Sequence, residues 1–239
     1  MKKTITVTAF LLLLSCTVGS DTKDGLKFNL TGSASGRKIS LAFERGKDYW
    51  HLKSFGAVKV RIRPQLAVWF EDTNGAYLKT VFVTRCFGKQ KWKAKTKPDV
   101  CFRPMCMPYW LNRFKAAGNS APTPAAPLPD GVTGATAPGS FTIDFSLPDS
   151  LSTVVLCAEW NSSFDNNDYF TPKKSSFNGQ PSVVASARID LGDSTIKKYT
   201  LSIKGYGGSN GDDPELYSDI DKLTTAKTIF GSIIAEVQP

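Results

Sequence analysis

The sequence lacks the short motifs that carry most hydrolytic, haem and dinucleotide chemistry, and it contains a single histidine, His51. It has no G-x-S-x-G and no H-E-x-x-H motif, so neither a serine hydrolase nor a zinc peptidase site is encoded. It has no C-x-x-C-H motif, which excludes a c-type haem. The glycine-rich run at residues 205–211 precedes no helical pattern, so a dinucleotide fold is not expected. We therefore expect a carrier or binding protein and not an enzyme with its own substrate.

Long apolar runs are also scarce. The longest, residues 5–14, is too short to span a bilayer as a helix, and it follows the basic start Met1-Lys2-Lys3. This pattern predicts a signal peptide. Its end, Leu13-Leu14-Ser15-Cys16, resembles the lipobox of bacterial lipoproteins, which implies a leader over residues 1–16, lipid attachment at Cys16 and a linker over residues 17–25. The alternative is ordinary secretory cleavage. Either way we expect an exported protein that faces the periplasm or the cell exterior.

Acidic residues are outnumbered by basic ones, with 21 Asp and Glu against 30 Lys and Arg. Removing Lys2 and Lys3 with the leader leaves a net charge of about +7, which favours anionic partners or surfaces. No helix-turn-helix, zinc-finger or RNP-like pattern accompanies this charge, so nucleic acid is not an expected partner.

Cysteines are few, and four remain after Cys16: Cys86, Cys101, Cys106 and Cys157. An even count in an oxidising compartment predicts disulfides. The sequence cannot choose among three pairings, and our preferred one joins Cys101 to Cys106 and Cys86 to Cys157. A tetrathiolate metal site is the alternative, although the single C-x4-C spacing lacks a second short pair.

Short, apolar-alternating runs recur along the chain and predict strands. They fall at residues 26–30, 39–43, 58–62, 66–70, 77–83, 141–145, 153–160, 183–191 and 198–203. Asn74-Gly75 predicts a hairpin between two of them. Trp69 and Trp160 lie within these strand patterns, and we expect both in the core. Residues 223–237 can begin as a short C-terminal helix or form a last strand. We predict an all-β, immunoglobulin-like antiparallel β-sandwich, a single domain over residues 26–239 with a long inserted loop at about 89–130.

The insertion ends at a segment with a distinctive order of residues, Asp130-Gly131-Val132-Thr133-Gly134-Ala135-Thr136. This D-x-x-T-G-A-T segment resembles the acceptor motif of flavin transferases, which attach FMN through its phosphate to the last Thr or Ser. The resemblance implies FMN on Thr136, with Asp130 and Thr133 presenting that residue to the transferase around a metal ion on that enzyme. Gly134, with the surrounding prolines and glycines, is expected to keep the segment open. The alternative is a glycine-rich turn between two strands.

A wider resemblance covers roughly residues 55–200. Residues 63–72, 75–80 and 136–140 resemble a family of exported bacterial domains of unknown function. In that family an AVW-ED-G-Y-KT hairpin is followed by a D-A-V-T/S-G-A-T-P segment. Members of this family are associated with flavin-linked extracytoplasmic redox systems. The resemblance implies a flavin transferase and an extracytoplasmic redox protein as partners, with a membrane contact through the lipid.

Three further patterns have a structural and a functional interpretation. Alternating lysines at residues 89–97 are either a solubilising edge or a docking face for an acidic partner. Tyr109 and Trp110 either pin the insertion to the sandwich or stack on a flavin. Acidic and amide clusters at 165–168 and 210–213 are either turns or calcium loops. The alternative to a flavin carrier is therefore a lipoprotein binding or scaffold module without a cofactor.

Overall fold

The computed structural model describes residues 25–30, 36–92, 102–192, 195 and 197–238. The predicted leader, Cys16, most of the linker and Cys101 lie outside these residues, as do Lys93, Lys95 and Lys97 of the lysine pattern.

Strands dominate the described part of the chain. They are β1 Leu26–Asn29, β2 Arg37–Arg45, β3 His51–Phe55, β4 Val58–Ile62, β5 Gln65–Glu71, β6 Tyr77–Thr84, β7 Thr133–Gly134, β8 Phe141–Leu147, β9 Thr153–Asn161, β10 Val183–Asp190, β11 Lys197–Thr200, β12 Ser202–Gly207, β13 Leu216–Tyr217 and β14 Phe230–Val237. The short α-helices are α1 Arg85–Gly88, α2 Pro108–Ala116 and α3 Pro172–Ser175. No helix of the described residues is long and apolar enough to cross a membrane.

The strands form two main sheets and a separate hairpin. The five-stranded sheet has the order β1-β8-β2-β14-β11, and the seven-stranded sheet has the order β13-β12-β10-β9-β5-β6-β7. Neighbours are antiparallel except for β1 with β8 and β6 with β7, which are parallel. Among the strands that the structure describes, β3 and β4 pair only with each other. The predicted all-β sandwich is confirmed, and the structure adds a few short helices to it.

The main core fills the space between the two sheets. Alternate residues of β8 point inward, and the ring of Phe145 meets that of Phe70 in β5 edge to face at 5.5 Å. Trp160 is also buried here, and its indole N–H donates to the carbonyl of Ala226 at 2.9 Å. The prediction that Trp160 lies in the core is confirmed.

A second core lies on the outer face of the seven-stranded sheet, because helix α2 covers that face. All seven residues of β5 are buried, which requires cover on both faces. Trp69 from β5 and Trp110 and Phe114 from α2 are packed in this second core. The prediction that Trp69 is a core residue is confirmed. The insertion at 89–130 is therefore more than the predicted loop, since its middle is a helix that completes the core.

The carboxy-terminal segment is a strand and not the alternative short α-helix. Two 3-10 helices, Ile220–Lys222 and Thr225–Thr228, lead into β14. The run predicted at 198–203 divides at the buried Leu201 into β11 and β12, which belong to different sheets.

Candidate functional site

The D-x-x-T-G-A-T segment lies at the free edge of the seven-stranded sheet. Asp130–Val132 form one 3-10 turn, and Thr133–Gly134 then form β7, pairing in parallel with Val83 and Thr84 of β6. Ala135 and Thr136 leave this edge and lead toward β8. Asp130 and Thr136 therefore stand at opposite ends of a two-residue strand.

The two middle residues of the segment are held by packing. A β-carbon at Gly134 would lie 2.3 Å from the Phe82 ring and 3.1 Å from the Phe28 ring. Thr133 is buried, and its hydroxyl oxygen has no hydrogen-bond partner among the described residues. Gly134 thus permits close packing at the sheet edge. The expectation that it keeps the segment open is wrong, because it is buried in a paired strand.

Asp130 is the exposed acidic residue of the segment, with 79% of its side chain accessible. Its carboxylate accepts a hydrogen bond from the ammonium group of Lys89, which follows α1. This hydrogen bond and the Lys89 charge lower the pKa of Asp130 below its usual value. The carboxylate is therefore ionised and open to solvent at neutral pH.

Thr136 is half-buried, and its hydroxyl makes no hydrogen bond to the residues that the structure describes. It lines a small pocket of about 10 Å³, here called the Thr136 pocket, together with Tyr49, Pro64, Leu66, Phe82, Thr84, Ala135, Ala137, Phe141 and Phe230. The buried Tyr49 donates its hydroxyl to the Ala137 carbonyl at 2.8 Å, which fixes the backbone next to Thr136. A pocket of this size is too small for a flavin ring, so any group on the Thr136 oxygen must lie outside it.

The sequence did not point to Glu159 of β9, which is the most deeply buried carboxyl group described. Its two oxygens accept the backbone N–H groups of Tyr109 at 3.2 Å and Trp110 at 2.6 Å, in the first turn of α2. Ser182 adds a hydroxyl donor at 2.5 Å. Burial raises the pKa of Glu159 to about 7, and these three donors oppose that rise. Glu159 caps α2 and fastens it to the sheet.

A second buried carboxylate, Glu71, lies next to Arg113 of α2. Its Oε1 accepts the indole N–H of Trp69 at 2.9 Å and lies 3.4 Å from Nε of Arg113. Arg113 also donates to the Tyr109 hydroxyl at 2.7 Å. Burial raises the pKa of Glu71 above its usual value.

A wide cleft of about 420 Å³ opens beside α2, lined by Tyr109, Asn112, Arg113, Ala116, Pro214, Glu215 and Leu216. Of the predicted aromatic pair, Trp110 is fully buried. Its indole N–H donates to the Thr80 hydroxyl at 2.9 Å. Stacking of Trp110 on a flavin is therefore wrong, and the interpretation that it pins the insertion to the sandwich is confirmed.

The cysteines are arranged differently from the prediction. Cys106 and Cys157 are buried free thiols, so the preferred pairing of Cys101 with Cys106 and Cys86 with Cys157 is wrong. Cys86 follows β6 and Cys157 lies in β9, with β5 between those strands. Two strand spacings amount to about 9.6 Å, beyond the roughly 7 Å that a disulfide bridges between Cα atoms. Burial raises the pKa of Cys106 to about 12 and also raises that of Cys157.

The remaining polar patterns serve local structure. Lys89 ends α1 in a turn, so the alternating lysines do not begin as an extended strand. Asn167 accepts the backbone N–H groups of Tyr169 and Phe170, and Asp165 accepts a hydrogen bond from Thr225 at 2.6 Å. Over the described ranges, no three His, Cys, Asp or Glu side chains are grouped as a metal site.

The chain was compared with protein-family models, curated proteins and solved structures. No protein-family model, no curated protein and no solved structure matches the chain.

Proposed function

We propose that this protein is an exported, lipid-anchored β-sandwich that carries FMN esterified to Thr136 and passes electrons between extracytoplasmic partners. The observation that carries the proposal is the state of the Thr136 hydroxyl. It ends the D-x-x-T-G-A-T segment, is half-buried and has no hydrogen-bond partner among the described residues. A hydroxyl already engaged in a turn would have to give up a hydrogen bond before it could be modified.

The residues around Thr136 fit a group that is attached at the surface. Tyr49 and Phe82 fill the space beneath Thr136 and leave only about 10 Å³, so the sandwich supports the attachment point and does not enclose a ring. Bound FMN would supply reversible electron transfer. The chain itself supplies the acceptor oxygen, a fixed backbone at Ala137 and a position at the sheet edge.

Attachment requires Thr136 Oγ to lose its proton and form a phosphodiester bond. The donor would be a flavin dinucleotide whose pyrophosphate is cleaved, with a mononucleotide as the leaving group. Asp130 would present its exposed, ionised carboxylate to the transferase or to a metal ion on that enzyme. Thr133 and Gly134 would hold β7 against β6, so that the two ends of the segment keep their spacing.

The test is the intact mass of the mature protein after co-expression with a flavin transferase. We expect a gain of one FMN, mapped by peptide analysis to the Thr136 peptide. Thr136→Ser, which keeps a hydroxyl, should retain the gain, and Thr136→Ala should abolish it. An unmodified chain, obtained with a transferase that modifies a control acceptor, would overturn the proposal.

The second candidate function is a binding or scaffold module without a cofactor. The observation that favours it is the packing of Thr133 and Gly134, which accounts for two of the seven residues of the segment without any modification. This candidate gains support if Thr136→Ala leaves the interactions of the protein unchanged in cells that contain a transferase.

A further inference from the structure

The hairpin of β3 and β4 is set apart from the rest of the fold. Residues 50–63, here called the basic hairpin, contain both strands, which turn at Gly56 with φ of +61° and pair with no other described strand. On one side, the Phe55 ring meets that of Phe164 edge to face at 5.3 Å, which braces the hairpin against the loop after β9. It is therefore a supported projection with much of its surface exposed.

The basic hairpin concentrates exposed apolar surface. Ten large apolar side chains in the described residues are exposed, and half of them belong to this short stretch: Trp50 37%, Leu52 56%, Phe55 47%, Val58 61% and Val60 39%. Phe55 and Val58 pair directly across the turn, so they form an apolar tip. The pairing register places Phe55, Val58 and Val60 on one face of the hairpin and Leu52 on the other, with Arg61. Single exposed apolar residues are ordinary, but several of them together at the tip of one projection indicate an interaction site.

The same hairpin is uniformly cationic. It carries Lys53, Lys59, Arg61 and Arg63, and no acidic residue occurs in the sequence between Asp48 and Glu71. The guanidinium of Arg61 lies 4.4 Å from the centre of the Trp50 ring. This cation–π contact holds the Arg61 side chain at a position farther from the turn than Phe55 and Val58. Lys59 is paired opposite Ser54, so this positive charge also lies next to the apolar tip.

The basic hairpin lies at the same end of the sandwich as the start of β1, the first described strand after Cys16. Leu26 and Phe43 both pair with Phe141, so β1 begins where β2 ends, and the hairpin follows β2 in the chain. The N–H of Gly25 donates to the Ser140 carbonyl at 3.1 Å at this same end. Nine residue steps separate Cys16 from Gly25 and span at most about 30 Å. A bilayer that holds Cys16 therefore lies near the end of the sandwich from which the hairpin projects.

We propose that the basic hairpin is a second membrane contact, which inserts Phe55 and Val58 into the interface of an anionic phospholipid bilayer while its lysine and arginine side chains meet the phosphates. Apolar side chains at a tip with cations behind them match the layering of a bilayer surface. The placement near the membrane rests on lipid attachment at Cys16, which belongs to the proposed function. Pro64, directly after the hairpin, lines the Thr136 pocket, so the contact would hold Thr136 toward the bilayer.

The test uses the mature chain from Thr17, prepared without lipid, so that only the protein surface can bind. Flotation with vesicles of phosphatidylcholine alone and of equal phosphatidylcholine and phosphatidylglycerol measures the partition coefficient. We expect binding to the anionic vesicles, at least tenfold weaker binding to the neutral ones, and weakening by salt. On binding, Trp50 fluorescence should shift to shorter wavelength.

Matched variants separate the tip and its charge from the rest of the surface. Phe55→Ser with Val58→Ser, and separately Lys53→Gln with Lys59→Gln, should each lower the partition coefficient at least tenfold. The control, Leu78→Ser with Lys198→Gln, changes one exposed apolar and one exposed basic residue elsewhere and should leave it unchanged. Thermal unfolding verifies that each variant is folded.

Three outcomes would overturn the proposal. They are no binding to anionic vesicles, binding that survives both pairs of substitutions, and a dimer in solution that dissociates when Phe55 and Val58 are replaced by serine. Such a dimer would mean that the hairpin is an interface between two copies of the chain. Because this assay contains neither flavin nor lipid anchor, its result is independent of the mass measurement on Thr136.

Discussion

Gly134 lies so close to Phe82 that a β-carbon at position 134 would stand 2.3 Å from the Cε2 atom of the ring and 2.8 Å from its Cζ atom. Phe82 is itself buried and cannot swing into solvent. We therefore expect Gly134→Ala to force the sheet edge apart and to lower the free energy of unfolding by about 1–3 kcal/mol. Denaturant unfolding at neutral pH measures the difference.

Gly131 provides the matched control inside the same segment. A β-carbon there would meet no atom of the described part of the chain within 4 Å, its sequence neighbours apart. Gly131→Ala should change the free energy of unfolding by no more than about 0.5 kcal/mol. If Gly134→Ala and Gly131→Ala lowered the free energy of unfolding equally, the packing against Phe82 would not constrain position 134.

The hairpin around Asn74-Gly75 illustrates what the sequence predicts well. Apolar alternation and a two-residue turn pattern indicated two neighbouring strands, and β5 and β6 pair as expected. The turn is secured locally, since Asp72 Oδ1 accepts the N–H groups of Asn74 and Ala76, both at 2.8 Å. Where the stabilising contacts are close in sequence, the pattern is sufficient to predict the structure.

Helix α2 is an element that depends on contacts distant in the sequence. Its buried residues Trp110, Leu111 and Phe114, with Met107 before them, follow helical spacing that was visible in the sequence. The helix has no side-chain cap of its own at Met107. Its cap is Glu159, 49 positions after Trp110, and such a contact depends on the tertiary fold.

The residue order of the D-x-x-T-G-A-T segment indicates where the candidate site lies, but it does not predict the secondary structure of the segment. The exposed position of Asp130 and the half-buried position of Thr136 are compatible with the acceptor hypothesis. That Thr133 and Gly134 form a strand depends on β6, about 50 residues earlier, because a two-residue strand has no periodicity of its own. The attachment of FMN stays a prediction.

The capping carboxyl group of Glu159 should make stability depend on pH. Its pKa is raised from 4.5 to about 7, so between these values the folded protein binds more protons than the unfolded chain. Its contribution to stability is therefore complete below about pH 4.5 and is lost as the pH rises through 7, a change of about 3 kcal/mol. Denaturant unfolding from pH 4.5 to 8 measures it.

Glu159→Gln isolates this effect from the other carboxyl groups, because the variant has no proton to gain at position 159. The difference in unfolding free energy between the two proteins should change with pH over that window and level off above pH 7. A difference that is independent of pH would mean that Glu159 is ionised throughout, held so by Tyr109, Trp110 and Ser182.

Trp110 should contribute more to stability than any exposed aromatic residue. It is fully buried, its ring stacks on Phe114 at 4.9 Å, and its indole N–H is bonded to Thr80. Trp110→Ala should lower the free energy of unfolding by about 3–5 kcal/mol, and Trp110→Phe by about 1–2 kcal/mol through the lost hydrogen bond. Trp50→Ala, at a 37% exposed position, is the control and should cost less than about 1 kcal/mol.

The thiols of Cys106 and Cys157 should be unreactive in the folded protein and reactive as soon as it unfolds. Cys106 is 0% exposed and Cys157 is 3% exposed, so a reagent has little access to either sulfur. Burial also raises the pKa of both thiols, so the fraction of reactive thiolate is minimal. Iodoacetamide labelling followed by peptide mapping, without reductant, should modify both cysteines in denaturant and neither in buffer. If labelling in denaturant required prior reduction, the thiols would be oxidised in the native protein, and the second core around α2 would have to rearrange to bring a partner sulfur within bonding distance.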